Sequence, residues 1–201
     1  MTPFTEEQMD AYRSLAKKKE KEKRYKHSLG VAEAAVNLAK HYGEDPVKAY
    51  VCGLLHDVEK NASFEEQHRY MDLLGDKLPR EVIENKKLWH APAGAAFVKE
   101  ELHIVDEGMI NAIKYHTTGR ENMTMLEKII YTADFISAER DFEGVEEIRE
   151  KAFRNIDEAI YSSAVFTLQK IISLGQRINY DTMAMYNEMI DRLNINKEER
   201  S

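Results

Sequence analysis

The hydrophobic residues of this chain recur three or four positions apart through almost its whole length, which is the spacing of one face of an α-helix. The clearest examples are Val31, Ala34, Ala35, Leu38 and Tyr42 in one segment, and Met109, Ile110 and Ile113 in another. Strand-like alternation of useful length is absent, and so are internal repeats and low-complexity linkers. The pattern therefore predicts an all-α protein built as a single helical bundle.

Start and stop signals divide this pattern into separate helices. Capping-box pairs stand at three predicted starts, namely Thr5 with Gln8, Ser63 with Glu66, and Thr124 with Glu127. Asp45-Pro46 marks a further start, and Gly43 and Gly75 mark stops. The first predicted helix begins at Thr5, and the second, which carries His27, ends at Tyr42. The others run over 47–56, over 64–74, from Pro79 toward Trp89, over 92–102, from Asp106 toward His116, from Thr124 to Asp134, over 145–174 and over 181–193.

Composition limits the classes of protein that need to be considered. The chain has 201 residues, of which 43% are hydrophobic and 32% charged, so it is long enough to bury a sizeable core. Its formal net charge of −7 argues against binding a nucleic acid polymer through a general basic surface. A small anionic ligand remains compatible with this charge, because a local cluster of cations is enough to bind it.

The single cysteine, Cys52, excludes both an internal disulfide framework and a thiolate-rich zinc site. Its place in an apolar run predicts a small buried side chain. No stretch resembles a signal peptide or reaches transmembrane length. We therefore expect a cytoplasmic protein without a membrane partner.

Four of the seven histidines fall at the ends of apolar helical segments, whereas three lie among charged or polar neighbours. The first group comprises His27, His56, His90 and His116, and the second comprises His41, His68 and His103. One such histidine alone is more often a hydrogen-bonded structural residue than a ligand. Four of them, together with Asp57 and Asp134, favour a metal centre, with the second group of histidines at the surface.

The adjacent pair His56-Asp57 indicates more than one metal ion. Successive helix residues point about 100° apart, so a single small ion would not normally bind both. They converge if the histidine binds one ion and the carboxylate bridges to a second. Imidazole and carboxylate without thiolate suit iron, manganese or cobalt better than calcium. Six ligands are also more than one tetrahedral zinc needs, but they fit two ions that share Asp57.

Five motifs carry a closer resemblance to a known family. They are Arg24–Val31 (RYKHSLGV), Gly53–Asp57 (GLLHD), Trp89–Ala95 (WHAPAGA), His116–Gly119 (HTTG) and Leu126–Asp134 (LEKIIYTAD). In this order they resemble the HD superfamily of metal-dependent phosphohydrolases and, within it, the YqeK-type family of symmetrical bis(5′-nucleosyl)-tetraphosphatases. The resemblance covers roughly residues 20 to 190. That family splits diadenosine tetraphosphate into two molecules of ADP.

The resemblance implies a complete set of site residues. The metal ligands would be His27, His56, Asp57, His90, His116 and Asp134. They would bind two divalent or trivalent ions, iron first, with manganese or cobalt as substitutes. The nucleotide contacts would be Arg24, Tyr25, Lys26, His27, Lys87, His116, Asp134, Phe135 and Arg140, with Arg177, Tyr180 and Thr182 near the base. Packing in the helix core is as good an explanation for Phe135.

The resemblance also implies how the chain is organised and how it acts. One HD-type domain would span residues 1–201, with a metal-binding core over about 20–140. The helices over about 145–195 would complete the bundle and the nucleotide site. A metal-bound hydroxide would attack an inner phosphorus, with Asp57 bridging the ions and Lys60 orienting phosphoryl oxygens. Glu59, which departs most from the family pattern, is expected to face solvent.

Three alternatives remain at this point. The nearest is another HD phosphohydrolase, such as a nucleotidase or a hydrolase of deoxynucleoside triphosphates or guanosine tetraphosphate. The second is an HD-fold di-iron oxygenase, which typically adds a further histidine to the cluster. The third is a module that binds nucleotide without catalysis. The expected partners are a dinucleoside polyphosphate substrate and ADP as product, while the oligomeric state stays open, with a homodimer as one option.

Overall fold

A computed structural model describes residues 4–75 and 78–195, which form eleven α-helices and one 3-10 turn and contain no β-strand. The helices are α1 (Glu6–Lys19), α2 (Glu22–Tyr42), α3 (Pro46–Leu55), α4 (Phe64–Leu73), α5 (Arg80–Glu84), α6 (His90–Glu100), α7 (Glu107–Lys114), α8 (Met125–Ile136), α9 (Val145–Arg154), α10 (Ile156–Ser173) and α11 (Tyr180–Arg192). The 3-10 turn, Lys86–Leu88, precedes α6. The all-α prediction is therefore confirmed. None of these helices combines the length and the apolar character that crossing a bilayer would require.

The local signals in the sequence place most helix ends correctly. Thr5 with Gln8 and Thr124 with Glu127 each form both hydrogen bonds of a capping box. At Ser63 the structure gives the first of the two bonds, in which its side chain accepts from the Glu66 amide. Gly43 ends α2 in the left-handed conformation, with φ of 72°.

Three predicted helix segments differ in the structure. The segment predicted as one helix from Pro79 toward Trp89 is interrupted at Asn85, which separates α5 from the 3-10 turn. The segment predicted as one helix over 145–174 is two helices, because Asn155 is extended, with φ of −157°, and its side chain caps α10 by accepting from the Asp157 amide. Helix α6 begins at His90 rather than at Pro92. Proline is tolerated there because a residue in the first turn has no intrahelical partner for its N–H group.

The core forms where α2 packs against α3 and α8. Gly53 allows α3 to approach α2 closely, since a Cβ atom at this position would lie 2.7 Å from the Cα atom of Ala32. Cys52, beside it, is fully buried, with its sulfur 3.8 Å from the carbonyl oxygen of Met109. Its predicted role as a small buried side chain is confirmed. This packing fixes the position of the residues that follow α3.

The C-terminal helix α11 closes over the turn that follows α7. A Cβ atom at Gly119, whose φ is 62°, would lie 2.0 Å from the sulfur of Met185, so the side chain of Met185 on α11 fills the space that glycine leaves open. The hydroxyl of Thr182 donates to the carbonyl oxygen of Thr118 at 2.9 Å. Thr118 lies two residues after His116, and α11 is therefore attached directly to that part of the chain.

Glu59 is fully buried, and the prediction that it faces solvent was wrong. The ammonium group of Lys19 on α1 lies 2.5 Å from its carboxylate. Lys19 also lies 3.3 Å from the carboxylate of Glu66 and over the ring of Phe97. A buried carboxylate needs such a partner, because an unpaired charge in the interior costs several kcal/mol. The pair fastens α1 to the segment immediately after the His56-Asp57 motif.

We predict that Lys19→Met destabilises the protein by roughly 3 kcal/mol, because it leaves the buried carboxylate of Glu59 without a cation. Urea denaturation at pH 7 measures this change. Lys19→Met combined with Glu59→Leu should recover most of the loss. The matched control is Lys26→Met, since Lys26 and its partner Glu22 are both exposed and such pairs contribute about 0–1 kcal/mol. Equal stability of Lys19→Met and Lys26→Met would contradict the prediction.

Candidate metal centre

Six residues from five helices or their ends meet in one cluster. They are His27 on α2, His56 and Asp57 just after α3, His90 at the start of α6, His116 two residues beyond α7, and Asp134 on α8. All are buried except Asp134, whose side chain is 19% exposed. The structure thus brings together the six candidate ligands that the sequence singled out. The three other histidines, His41, His68 and His103, are exposed, as predicted.

The two oxygens of the Asp57 carboxylate face different members of the cluster. Oδ2 lies 3.5 Å from Nε2 of His56. Oδ1 lies 3.1 Å from Nε2 of His90 and 3.5 Å from Nε2 of His116. One carboxylate therefore has ligand nitrogens on both of its sides, which is the arrangement that a bridging ligand requires.

A second carboxylate, Asp134, faces the remaining histidine. Its Oδ1 atom lies 2.9 Å from Nε2 of His27 and 3.9 Å from Nε2 of His56. Two sets of three ligand atoms lie within 4.8 Å of one another: His27, His56 and Asp134 in one, and His56, Asp57 and His116 in the other. His56 belongs to both sets, so it lies at the centre of the cluster together with Asp57.

Three of the histidine rings are oriented by the helix ends that carry them. In each, Nδ1 bonds to a carbonyl oxygen three residues earlier: His56 to Gly53 at 2.6 Å, His90 to Lys87 at 2.9 Å, and His116 to Ile113 at 2.8 Å. A ring that donates from Nδ1 keeps the lone pair of Nε2 free for a metal. The backbone thus turns these three Nε2 atoms toward the cluster.

The donor atoms fit metal ions. Nε2 of His27, Nε2 of His56 and Oδ1 of Asp57 are buried and make no hydrogen bond within the described parts of the chain. Buried polar atoms without partners are costly, and an ion at this place would satisfy all three. Nitrogen and oxygen ligands without sulfur suit first-row transition metals.

Burial and charge set the protonation of these ligands. Burial lowers the pKa of His90 to about 4 and also lowers the pKa of His116, so both are neutral near pH 7. Burial acts in the same direction on His56, but the charge of Asp57 outweighs it and raises the pKa of His56 to about 9. Burial would raise the pKa of Asp57, but the charge on His56 and the imidazoles of His116 and His90 that face the carboxylate hold it well below its usual range.

Three cations border the cluster. The guanidinium of Arg24 donates to Oδ2 of Asp57 at 2.7 Å. Arg140 donates from Nε to the carbonyl oxygen of Asp134 at 2.8 Å and from its terminal nitrogen to the same residue's carboxylate. The ammonium of Lys60 lies 2.9 Å from Nε2 of His90. Burial lowers the pKa of Lys60. These are the positive groups that a phosphate bound at the cluster would meet.

The other residues of the first part of the chain that were predicted to contact the nucleotide make no side-chain hydrogen bond or ion pair with the cluster among the residues that the structure describes. The side chain of Lys87 is exposed, and its carbonyl oxygen is the part that touches His90. Lys26 is exposed and pairs with Glu22, while Tyr25 is half-buried against the core. These side chains do not form the border of the cluster in the way that Arg24 and Arg140 do.

The C-terminal candidates differ in accessibility. Tyr180 is 63% exposed. The side chain of Arg177 is exposed and lies 3.6 Å from the carboxylate of Glu84 on α5. Thr182 is buried, and its hydroxyl is already used in the bond to Thr118. Tyr180 and Arg177 are therefore the two that present free side-chain surface.

Phe135 belongs to an aromatic group between α8 and α10. Its ring lies 6.3 Å from that of Tyr131, 5.7 Å from that of Phe142 and 5.9 Å from that of Phe166. It is partly buried and packs against the core. These contacts favour packing as its main role.

A cavity of about 330 Å³ lies between α5, the first turn of α6, the end of α7 and the start of α11. Among its lining residues are Val82, Ala91, Lys114, Tyr115 and Asp181. Ala91 follows His90 and Tyr115 precedes His116, so the cavity is lined by the chain neighbours of two candidate ligands. Its lining combines apolar walls with a few polar groups, as small-molecule sites do.

Two further side chains touch the cluster that the sequence did not single out. The hydroxyl of Thr117 lies 3.0 Å from Nε2 of His116 and 3.3 Å from Nε2 of His90. The carboxylate of Glu139 contacts Nδ1 of His27. Thr117 stands within the His116–Gly119 motif, and Glu139 stands directly before Arg140. Their closeness to candidate residues was the available signal, but nothing in the sequence showed the direction of either side chain.

Comparison with known proteins identifies the family. The family model for the HD domain matches residues 24–139. A symmetrical bis(5′-nucleosyl)-tetraphosphatase of Halalkalibacterium halodurans is 43% identical over 171 residues, 84% of this chain and 90% of the relative. The chain belongs to the HD domain family. Proteins with the same name from Bacillus subtilis (38% identical, 84% of this chain and 90% of the relative) and Staphylococcus aureus (39% identical, 90% of each) are similar over comparable lengths.

A solved structure extends the agreement to the whole fold. A predicted HD superfamily hydrolase involved in NAD metabolism, from Clostridium acetobutylicum, is 40% identical and superimposes with a TM-score of 0.88. The superposition covers 92% of this chain and 97% of the other. The HD domain match spans all six candidate ligands, from His27 to Asp134, together with Arg24 and Glu139 at its ends.

We predict that manganese binding to this HD domain weakens on acidification by about tenfold per pH unit between pH 8 and 6, as expected when one proton must leave. The proton is on His56, whose pKa of about 9 keeps it protonated in this range. His90, with a pKa of about 4, contributes no such dependence. Calorimetric titration in buffers of different ionisation enthalpy measures the affinity and the released proton. An affinity that does not change from pH 6 to 8 would contradict the prediction.

Proposed function

We propose that the chain is a cytoplasmic, metal-dependent hydrolase that cleaves diadenosine tetraphosphate symmetrically into two molecules of ADP. The observation that carries this proposal is the buried cluster of four histidines and two aspartates bordered by three cations. The names of the relatives supply the substrate class, since all three are symmetrical bis(5′-nucleosyl)-tetraphosphatases.

In the proposed centre, His27, His56 and Asp134 would hold one ion, and His90 and His116 would hold the other. Asp57 would serve both ions, because its two oxygens face different sides of the cluster. Such ions supply Lewis acidity and make water acidic enough to react near neutral pH. Iron is the proposed metal, with manganese or cobalt as substitutes.

The protein's own cations are proposed to bind the phosphates. Hydrolysis adds negative charge to the oxygens of the attacked phosphorus, and fixed positive groups stabilise that charge. Lys60 lies against His90 and is suited to orient a phosphoryl oxygen over the cluster. Arg24 and Arg140, each bonded to a candidate ligand carboxylate, are suited to neutralise the neighbouring phosphates.

Symmetrical cleavage requires that the enzyme hold one nucleoside diphosphate at a fixed distance from the metals. The cavity lined by Ala91 and Tyr115, the chain neighbours of His90 and His116, is proposed to take this part of the substrate. Tyr180, which is exposed and precedes the cavity residue Asp181, can stack on a base. Arg177 lies in the connection between α10 and α11, three residues before Tyr180, and offers a further cation.

Product analysis tests the proposal. The protein is loaded with iron anaerobically or with manganese and incubated with diadenosine tetraphosphate, dATP or guanosine tetraphosphate. We expect ADP as the main product of the first substrate and much slower turnover of the other two. Release of AMP and ATP would overturn symmetrical cleavage, and preference for dATP or guanosine tetraphosphate would favour another HD phosphohydrolase. Turnover that depends on oxygen would favour an oxygenase.

We predict that Asp57→Ala abolishes hydrolysis and lowers bound metal below about two equivalents, because one carboxylate serves both ions. Metal analysis after gel filtration and an ADP assay measure the two effects. His41→Ala is the control, since His41 is exposed and remote from the cluster, and it should change neither quantity. Full activity with unchanged metal content in Asp57→Ala would refute the two-metal proposal.

We predict that Arg140→Ala lowers kcat/KM by roughly 10- to 150-fold, the cost of losing a charged hydrogen bond at a partly desolvated site. Arg140→Lys should restore only part of this, because an ammonium cannot replace the planar guanidinium fork. Some AMP and ATP should accompany ADP if the substrate slides along the metals.

Metal content must be measured for the same variants, because Arg140 also bonds to Asp134. A loss of activity with both metals retained assigns Arg140 to substrate binding. Unchanged kcat/KM in Arg140→Ala would remove it from the site.

A further inference from the structure

His27 is oriented differently from the other three histidines of the cluster. Their Nδ1 atoms bond to carbonyl oxygens of the preceding turn, whereas Nδ1 of His27 contacts the side-chain carboxylate of Glu139. Glu139 lies 112 positions later in the sequence, in the segment that follows α8. The orientation of this one ring therefore depends on a tertiary contact.

The position of the Glu139 carboxylate is fixed from two sides. The hydroxyl of Ser137 donates to its Oε1 atom at 2.7 Å. On the other side stands Gly30, where an added Cβ atom would lie 2.5 Å from Oε2 of Glu139. A side chain at position 30 would therefore push the carboxylate away from His27. Glu139 reaches the ring because glycine leaves this space open.

The segment that carries Glu139 is itself held in place by Arg149 on α9. The guanidinium of Arg149 donates to the carbonyl oxygens of Ile136, Ser137 and Arg140, at 3.0, 2.9 and 2.9 Å. Three bonds from one planar group leave this short segment little freedom. It thus presents Glu139 to His27 and Arg140 to Asp134 at the same time.

We propose that Glu139 is a positioning residue that holds the His27 ring with Nε2 toward Asp134 and thereby strengthens one of the two metal sites. This rests on the metal centre proposed above. A carboxylate that accepts from the remote nitrogen of a histidine fixes its tautomer and raises its basicity, and removing such a partner typically weakens metal binding 10- to 100-fold. The effect is confined to the ion held by His27, since His90 and His116 have backbone partners.

Titration of the full chain with manganese tests the proposal. The electron paramagnetic resonance signal of the free ion measures how much manganese remains unbound at each step. Wild type is expected to bind two equivalents. Glu139→Ala should retain one tight equivalent and weaken the other by roughly 10- to 100-fold. The affinity of Glu139→Gln for the weaker manganese equivalent should lie between those of wild type and Glu139→Ala, because its amide oxygen still accepts a hydrogen bond but carries no charge. Gly30→Ala should reproduce part of the loss with Glu139 unchanged.

Glu143→Ala is the matched control, since Glu143 is an exposed acid four residues further on, and its two equivalents should match wild type. Thermal unfolding without metal should be alike for wild type and the Glu139 and Glu143 variants, because Glu139 is partly exposed and Glu143 is exposed. Two unchanged equivalents in Glu139→Ala, or equal weakening of both, would overturn the proposal. If wild type itself binds no manganese, the proposed metal centre fails instead.

Discussion

The buried carboxylate of Asp57 is the constraint on which the centre depends. A charge that is 2% exposed must be compensated, and here Arg24 and the surrounding imidazoles do so. The same charge explains the contrast in protonation, because it holds a proton on His56 while burial keeps His90 neutral. The two oxygens of Asp57 face partners on different helices. One terminus of each of these helices must therefore lie close to Asp57, and the bundle is arranged around this residue.

Helix ends explain why the candidate ligands could be singled out from the sequence. The last carbonyl groups of a helix lack intrahelical partners, so a histidine placed there can bond one of them through Nδ1 and turn Nε2 inward. His56 and His116 do this at the ends of α3 and α7. A histidine that ends an apolar helix is thus a local signal with a structural cause. The helices themselves were predictable for the same reason, because periodicity and capping are properties of neighbouring residues.

The features that the sequence did not reveal depend on distant partners. Glu59 looks like a surface residue until Lys19, forty positions earlier, is seen to neutralise it. Glu139 has no visible role until the fold places it against His27. The break between α9 and α10 at Asn155 is a different case, because two local signals conflict there. Asparagine is a good helix cap, which favours a new helix, whereas the apolar spacing continues across Asn155 and favours one long helix. Local patterns therefore give helices and candidate ligands, while the partners of buried charges and of histidine rings require the tertiary structure.

In the proposed reaction, Arg24 and Arg140 bind first to carboxylates of the cluster and then to phosphates of the substrate. In the structure, Arg24 is bonded to the carboxylate of Asp57 and Arg140 to that of Asp134. Metal ions bound to these carboxylates would share their negative charge and weaken their hold on the guanidinium groups. Both arginines would then be available to a polyphosphate without leaving their places. In the proposed reaction, metal ions and arginines therefore share the same two carboxylates, while the phosphates and these carboxylates share the same two arginines.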